Sequence, residues 1–186
     1  MGIGALSQAD AGECCVSVIG VVSALKSEAS CLMNLRFPIG RVVNIGARTR
    51  LCLSGMGDAA AQVAALRLQE YGVNALVSFG VAAALDNRLI PGDLVLPELI
   101  VDGDERWPVN LEWRNQLEQL LPSQLTIVGG VLASSSIPLT SRETKLALGE
   151  LAGACAADME SAAIARVAAN TGMPFIAIRA IVAPMD

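Results

Sequence analysis

Residues 157–182, ADMESAAIARVAANTGMPFIAIRAIV, hold three structural signals in a row. Two acids, Asp158 and Glu160, flank Met159. Ser161–Thr171 is rich in alanine and other good helix formers, and Gly172 stands where a helix ends. Pro174–Val182 then runs apolar without alternation, the pattern of a strand covered on both faces. A helix feeding such a strand is part of a βαβ unit, so this stretch predicts a largely parallel sheet with helices on both sides.

Working outward, the same grammar repeats. Val16–Ser23 (VSVIGVVS) is a second continuous apolar run and reads as a buried strand. Leu25–Leu35 reads as a helix, Pro38-Ile39-Gly40 as a break and Arg50–Ser54 as a strand. Asp58–Tyr71 is an alanine-rich helix closed by Gly72. Ala75–Phe79 is a buried strand, and Asp93–Val101 another after the Pro91-Gly92 turn. Trp107–Leu121 reads as a helix stopped by Pro122, Leu125–Ala133 as a strand, and Ser141 as the start of a further helix. The expected fold class is α/β: a three-layer sandwich whose mostly parallel, mixed central sheet is flanked by helices. Residues 16–186 are expected to form one domain behind a flexible N-terminal segment, residues 1–15.

Composition narrows the chemistry. The 186 residues include 13 Lys and Arg against 18 Asp and Glu, a net charge of −5, with no histidine. Apolar residues make up 53% and charged ones 17%. With a mean hydropathy of +0.53, this excludes a disordered chain, and the acidic balance argues against a nucleic-acid partner. Imidazole-based triads and His-rich zinc sites are excluded too. Acid–base work falls to carboxylates, Lys, Tyr, Cys or bound water, and no metal is expected.

Five cysteines (Cys14, Cys15, Cys31, Cys52 and Cys155) form no C-x-x-C pair and no disulfide framework, which points to a reducing cytoplasm. Cys52 and Cys155 read as small buried hydrophobes. No run approaches the ~18 apolar residues of a membrane span. The surplus of apolar residues predicts a large homo-oligomer interface, a C2 dimer by default, or an apolar ligand.

In α/β sheets, ligands sit beyond the carboxyl ends of the strands, and four stretches occupy such places. Glu28 in GVVSALKSE (20–28) can bind a nucleophilic water, or be a solvated glutamate in a first helical turn. Ser54-Gly-Met-Gly57 joins a strand to a helix without the dinucleotide G-x-G-x-x-G, and Asp58 reads as a cap. Phe79–Leu85 with Pro91-Gly-Asp93 reads as strand, turn, strand. In Ala157–Ser161 the acids suit a helix start, or Met159 suits a sugar face with a carboxylate on its hydroxyls.

In this order the segments GVVSALKSE (20–28), LSGMGDAAA (53–61), VSFGVAAALDNRLIPGDLVLP (77–97) and ADMESAAIARVAANTGMPFIAIRAI (157–181) resemble the purine nucleoside phosphorylase/nucleosidase family. ADMES and residues 102–115 look most like the hopanoid-associated phosphorylases. The resemblance implies cleavage of the N-glycosidic bond of a purine nucleoside through an oxocarbenium-like ribose. Phosphate or water would be the incoming group, and no cofactor is needed. It implies Glu28 and Glu160 as catalytic residues, the first ordering the attacking water and the second on the ribose hydroxyls. Met159, Gly57, Gly80, Val81, Ala82, Ile137 and Asp158 would line the substrate, with Ile137 against the purine and Arg179 in a structural ion pair.

The expected substrate is a small purine nucleoside, adenosylhopane-like in carrying a bulky apolar 5′ group. The alternatives are a methylthioadenosine/S-adenosylhomocysteine nucleosidase-like hydrolase and a non-catalytic nucleoside binder on the same fold. The chain departs from the family at Val182-Ala183, where a Ser-Asp pair assists the purine. It departs again at Val81, Ala83 and Ala84 in a small-residue turn, at Pro138, and at Asp186, where the chain stops before the family's final helix.

Overall fold

The computed structural model describes residues 17–33 and 38–185. In chain order the first half contains β1 (Ile19–Ser23), α1 (Lys26–Leu32), β2 (Val42–Gly46), β3 (Thr49–Leu53), α2 (Asp58–Glu70) and β4 (Ala75–Ala84). There follow β5 (Leu94–Val95), β6 (Leu99–Asp102), β7 (Glu105–Pro108), α3 (Leu111–Leu120), β8 (Ile127–Val128) and β9 (Val131–Ser134). The chain closes with α4 (Arg142–Ala152), β10 (Ala156–Asp158), α5 (Ser161–Thr171) and β11 (Phe175–Ala183).

One mixed sheet runs in the order β2-β3-β1-β4-β10-β9-β6-β7, with β11 on the other side of β4 and β5 and β8 continuing from it. β1 is parallel to β3 and β4, β11 to β4, and β9 to β6 and β10. The β2–β3 and β6–β7 hairpins and the β10–β4 and β11–β5 contacts are antiparallel.

Period-two alternation along β4 explains why helices cover both faces. Leu76 points into a core with Ala64, Ala65 and Leu68 of α2 and Ile164 and Val167 of α5. Its neighbour Val77 joins Val21, Leu51, Leu53 and Ile176 on the opposite face, where Trp113 and Leu117 of α3 pack. The small side chains of α2 and α5 let these two helices approach the sheet and each other closely. The expected three-layer α/β sandwich, mixed and mostly parallel, is the observed architecture.

Several boundaries differ from the sequence reading. β4 does not end at Phe79; it continues through the small residues 80–84, which the reading took for a turn, because β11 pairs along it as far as Ala83. The single strand expected over Asp93–Val101 is two, β5 and β6, interrupted around Pro97, which has no N–H for a ladder. Trp107 lies on β7 and not in a helix: Asp102-Gly103 turns the chain, with Gly103 at φ 56°, so that Leu99 pairs Pro108. α3 starts only after Asn110, whose side chain accepts from Trp113 N–H at 2.8 Å.

The strand over Leu125–Ala133 divides at Gly129-Gly130 into β8 and β9. β2 had no place in the reading, since Val42–Gly46 is half exposed and lacks a clear apolar run. The first helix ends at Leu32 within the described residues. Leu35, Cys14, Cys15 and the expected flexible segment, residues 1–15, lie outside them. Among the described residues no helix is long and apolar enough to cross a membrane.

Gly20 on β1 shows how tightly the sheet meets α2. A Cβ there would lie 2.9 Å from Val73 Cγ2 and 3.2 Å from Leu68 and Leu76 side-chain carbons. Gly20→Ala is expected to destabilise the protein by about 1–3 kcal/mol through overpacking, read as a lower urea midpoint with an unchanged slope.

Candidate active site

β4 changes partners half-way along one edge. β1 pairs with it as far as Ser78, and β10 takes over from Ala83. Between them residues 79–82 border no strand on that edge among the described residues, and this opening lies just past the carboxyl end of β1. Backbone polar groups cannot be buried there without partners. The carboxylate of Glu28 supplies one: Val81 N–H donates to its Oε1 at 3.0 Å. Its Oε2 accepts from Ser23 Oγ at 3.0 Å, Ala24 N–H at 3.0 Å and Leu25 N–H at 2.8 Å.

The Leu25 bond is half of a capping box, Glu28 being the third residue of α1 and reaching back to the N-cap amide. Glu28 is therefore not the solvated first-turn glutamate that the sequence also allowed; it is buried. Gly80 lies directly beneath it. A Cβ at this position would stand 2.6 Å from Glu28 Oε1. Gly80 thus acts by admitting the carboxylate, a correction to its expected place against the substrate.

Glu160 arrives from the other side. It is the N-cap of α5, and its Oε1 accepts from Gly57 N–H at 2.8 Å while Oε2 accepts from Met159 N–H at 3.3 Å. Gly57 is itself the N-cap of α2, at φ 96°, a conformation open to glycine but strained for other residues. Its N–H is spent on Glu160, so Gly57 also supports the site and does not stand free for a ligand. Desolvation by burial raises the Glu160 carboxyl above its ordinary 4.5. Asp158 pushes the same way, while Gly57 N–H, Arg179 and Met159 N–H oppose it.

Glu28, Val81, Ala82, Ile137, Met159 and Glu160 line one open cleft, with room of about 190 Å³ for solvent. Ala82 forms part of its floor and Ile137 is an exposed wall, 63% accessible. Asp158 borders the cleft too, but its carboxylate is already engaged. Arg179 donates from Nε to Asp158 Oδ2 at 2.8 Å, the Arg179 Nη2 lies 2.6 Å from the same oxygen as an ion pair, and Ser161 N–H and Oγ also donate to the carboxylate. The expected ion-pair role of Arg179 thus holds, whereas Asp158 serves the cleft floor and not a substrate hydroxyl.

Sequence reasoning missed Met56 and Ser135, which also line the cleft, as do Val182 and Ala183, the pair at which the chain departs from the family. Met56 could have been found between Gly55 and Gly57, both at positive φ. No Lys or Arg is among the lining residues, and no cluster of His, Cys, Asp and Glu among the described residues could hold a metal ion.

Fold and site together define a three-layer α/β protein with an acidic, apolar-walled cleft at the point where its sheet changes partners, the usual location for a small-molecule site. A family model described as the Phosphorylase superfamily matches residues 33–186, and the chain belongs to that family. Membership bears out the family and the enzyme class that the motifs implied. The 5′-methylthioadenosine/S-adenosylhomocysteine nucleosidase of Buchnera aphidicola is 26% identical over 195 aligned positions, covering 88% of this chain and 77% of that protein.

Two Helicobacter pylori structures share the fold. One is 5′-methylthioadenosine/S-adenosylhomocysteine nucleosidase with butyl-thio-DADMe-Immucillin-A (TM-score 0.80, 20% identity, 91% of this chain and 86% of that one). The other is futalosine hydrolase (TM-score 0.80, 20% identity, 92% and 86%). These relatives lend no support to the hopanoid-associated subgroup.

Two outcomes follow from the carboxylates. Because the folded chain keeps the Glu160 proton to higher pH than the unfolded chain, ionising this residue opposes folding, and its contribution worsens as pH rises through the raised value. Glu160→Gln is expected to melt above the parent at pH 7, the gap closing as pH falls through the raised value towards 4.5. Gly80→Ala, which displaces the Glu28 carboxylate, is expected to cost about 1–3 kcal/mol for the orphaned buried donors, with faster hydrogen exchange at the Val81 amide.

Proposed function

We propose that this protein cleaves the N-glycosidic bond of a purine nucleoside by hydrolysis. The observation that carries the reading is the convergence of Glu28, Glu160 and Met159 on one cleft. As the bond to the base breaks, positive charge grows on the ribose, and fixed carboxylates stabilise it. Glu160, which keeps acceptor sites beyond those used by the Gly57 and Met159 amides, accepts ribose hydroxyls, while Met159 packs on the sugar. Glu28, oriented by its four donors, orders the attacking water.

Water is favoured over phosphate on electrostatic grounds. The lining offers Glu28, Asp158 and Glu160 and no cationic side chain, so a phosphate dianion would meet net repulsion. The 5′ substituent is apolar: besides Ile137 and Val182, which by resemblance fall on the purine side, Met56 presents exposed hydrophobic surface at the cleft. This supports a methylthio or longer group, and it is the support that exists for the hopane-like substituent expected from the sequence. The reaction uses no cofactor. A reducing cytoplasm is the setting this reading takes, and among the described residues Cys31, Cys52 and Cys155 form no disulfide with one another. A C2 dimer is the oligomer the apolar surface favours.

A second reading, nucleoside binding without turnover, is favoured by Val182 and Ala183. They stand at the end of β11 where the family's purine-assisting acid aligns, and neither can protonate a leaving base.

Incubation with 5′-methylthioadenosine is expected to release adenine at a rate unchanged by added phosphate. Glu28→Gln and Glu160→Gln are each expected to lower kcat/KM by about 10²-fold or more. Binding by calorimetry with no adenine released would replace this reading with the second. Release that requires phosphate would make the enzyme a phosphorylase.

A further inference from the structure

The groups beneath the cleft form a second layer that the proposed chemistry does not use. Arg179 on β11 is 2% exposed, and every polar contact it makes is internal. Besides Asp158, its Nη2 donates to Ser161 Oγ at 2.9 Å and to Ser78 Oγ, and its Nη1 donates to Ile178 C=O at 2.9 Å. Ser161 Oγ, whose one proton goes to Asp158, lies 3.1 Å from Ser78 Oγ and accepts from it. The network thus joins β4, β10, β11 and the start of α5. A small void that Glu28, Glu160 and Arg179 all border lies between this network and the cleft floor.

We infer that Arg179 is a positioning residue for the cleft: through Asp158 it fixes the Met159–Glu160 turn, and its charge offsets the Asp158 carboxylate lying beside Glu160. Two physical facts carry this. Asp158, Met159 and Glu160 are consecutive, so the backbone that places the Glu160 carboxylate starts from a residue whose Oδ2 is held by both Nε and Nη2 of one guanidinium, a two-nitrogen contact that a single lysine ammonium cannot reproduce. Three carboxylates (Glu28, Asp158 and Glu160) also crowd the cleft, and without a buried cation their mutual repulsion would favour protonation.

The elements around Glu160 carry Glu28 and the exposed Lys26 on α1, Asp58 and the exposed Arg67 and Glu70 on α2, Asp158 on β10 and Arg179 on β11. Arg166, farther along α5, is turned outward to Asp58, Asp102 and Glu105 at 3.7, 3.6 and 3.0 Å. Arg179 is therefore the buried cation that contacts Asp158, while the other buried ones, Lys145 and Arg114, bond to Pro184 C=O and to Leu96 C=O. The directions of influence on Glu160 agree: Asp158 raises its carboxyl and Arg179 lowers it.

The part of this inference that concerns catalysis rests on the reading above, so the primary test needs no turnover. With 13C-labelled glutamate, Glu160 is assigned by comparison with Glu160→Gln and titrated by NMR in parent, Asp158→Asn, Arg179→Gln, Arg179→Lys and the double variant Asp158→Asn/Arg179→Gln. The expected result is a Glu160 midpoint moved down in Asp158→Asn and up in Arg179→Gln. Arg179→Lys should restore the charge effect only in part. The double variant, which removes both charges and leaves no unpaired ion, keeps the test available should Arg179→Gln fail to fold.

In adenine release, the acid limb of kcat/KM should move with the same signs, and Arg179→Gln should lose on the order of tenfold at acidic pH. Folded variants whose Glu160 midpoint matches the parent overturn the inference even if the parent turns over. A midpoint that shifts as stated in a protein that releases no adenine sustains it and removes the catalytic reading alone.

Discussion

The structure depends on the gap that β4 leaves when it exchanges β1 for β10. A sheet edge inside a protein exposes unpaired N–H and C=O groups, and burying them unmet costs more than most single contacts return. Here the missing ladder contact of Val81 is made by a carboxylate, and that substitution draws Glu28 into the sheet at the carboxyl end of its neighbour β1. Stability and site geometry are thus one requirement. The glutamate is held because the strand needs an acceptor, and the opening exists because no strand fills it.

The same economy recurs at Glu160. Gly57 N–H, one of the donors that a helix start leaves unsatisfied, finds its acceptor in a residue that caps another helix. The two carboxylates are consequently tied to four elements, α1, β4, α2 and α5. Each is oriented by backbone amides, which have no side-chain rotamers to lose. Such preorganisation is what electrostatic stabilisation of a developing cation requires. It works against stability in one respect, since burial lifts the Glu160 carboxyl and charging it opposes folding.

Legibility varied with the kind of signal. α5 and α2 were readable to within a residue, because alanine-rich runs closed by Gly172 and Gly72 leave little choice. β7 was not. Trp107 could equally begin a helix, and only its pairing with Ile100 across the Gly103 turn puts it in a strand. The length of β4 was also hidden, since Gly80–Ala84 is small enough for a turn and becomes strand by pairing with β11 and β10. Within the site, Glu28, Val81, Ala82, Ile137, Met159 and Glu160 were named in advance and stand around one cleft. The roles of Gly57, Gly80 and Asp158 changed once their partners were visible.

The amino-acid order by itself determined the α/β class, the absence of imidazole chemistry and the family, because periodicity, composition and ordered motifs are local properties of a chain. Which polar groups remain free for a ligand was decided only by the tertiary structure. Asp158 and Glu160 are two residues apart and look alike on paper. Yet Asp158 meets Arg179, from a strand 21 positions away, and is consumed, whereas Glu160 meets only backbone amides and faces the cleft. A carboxylate's role follows from the charge that reaches it through space, and that charge is set by how distant segments pack.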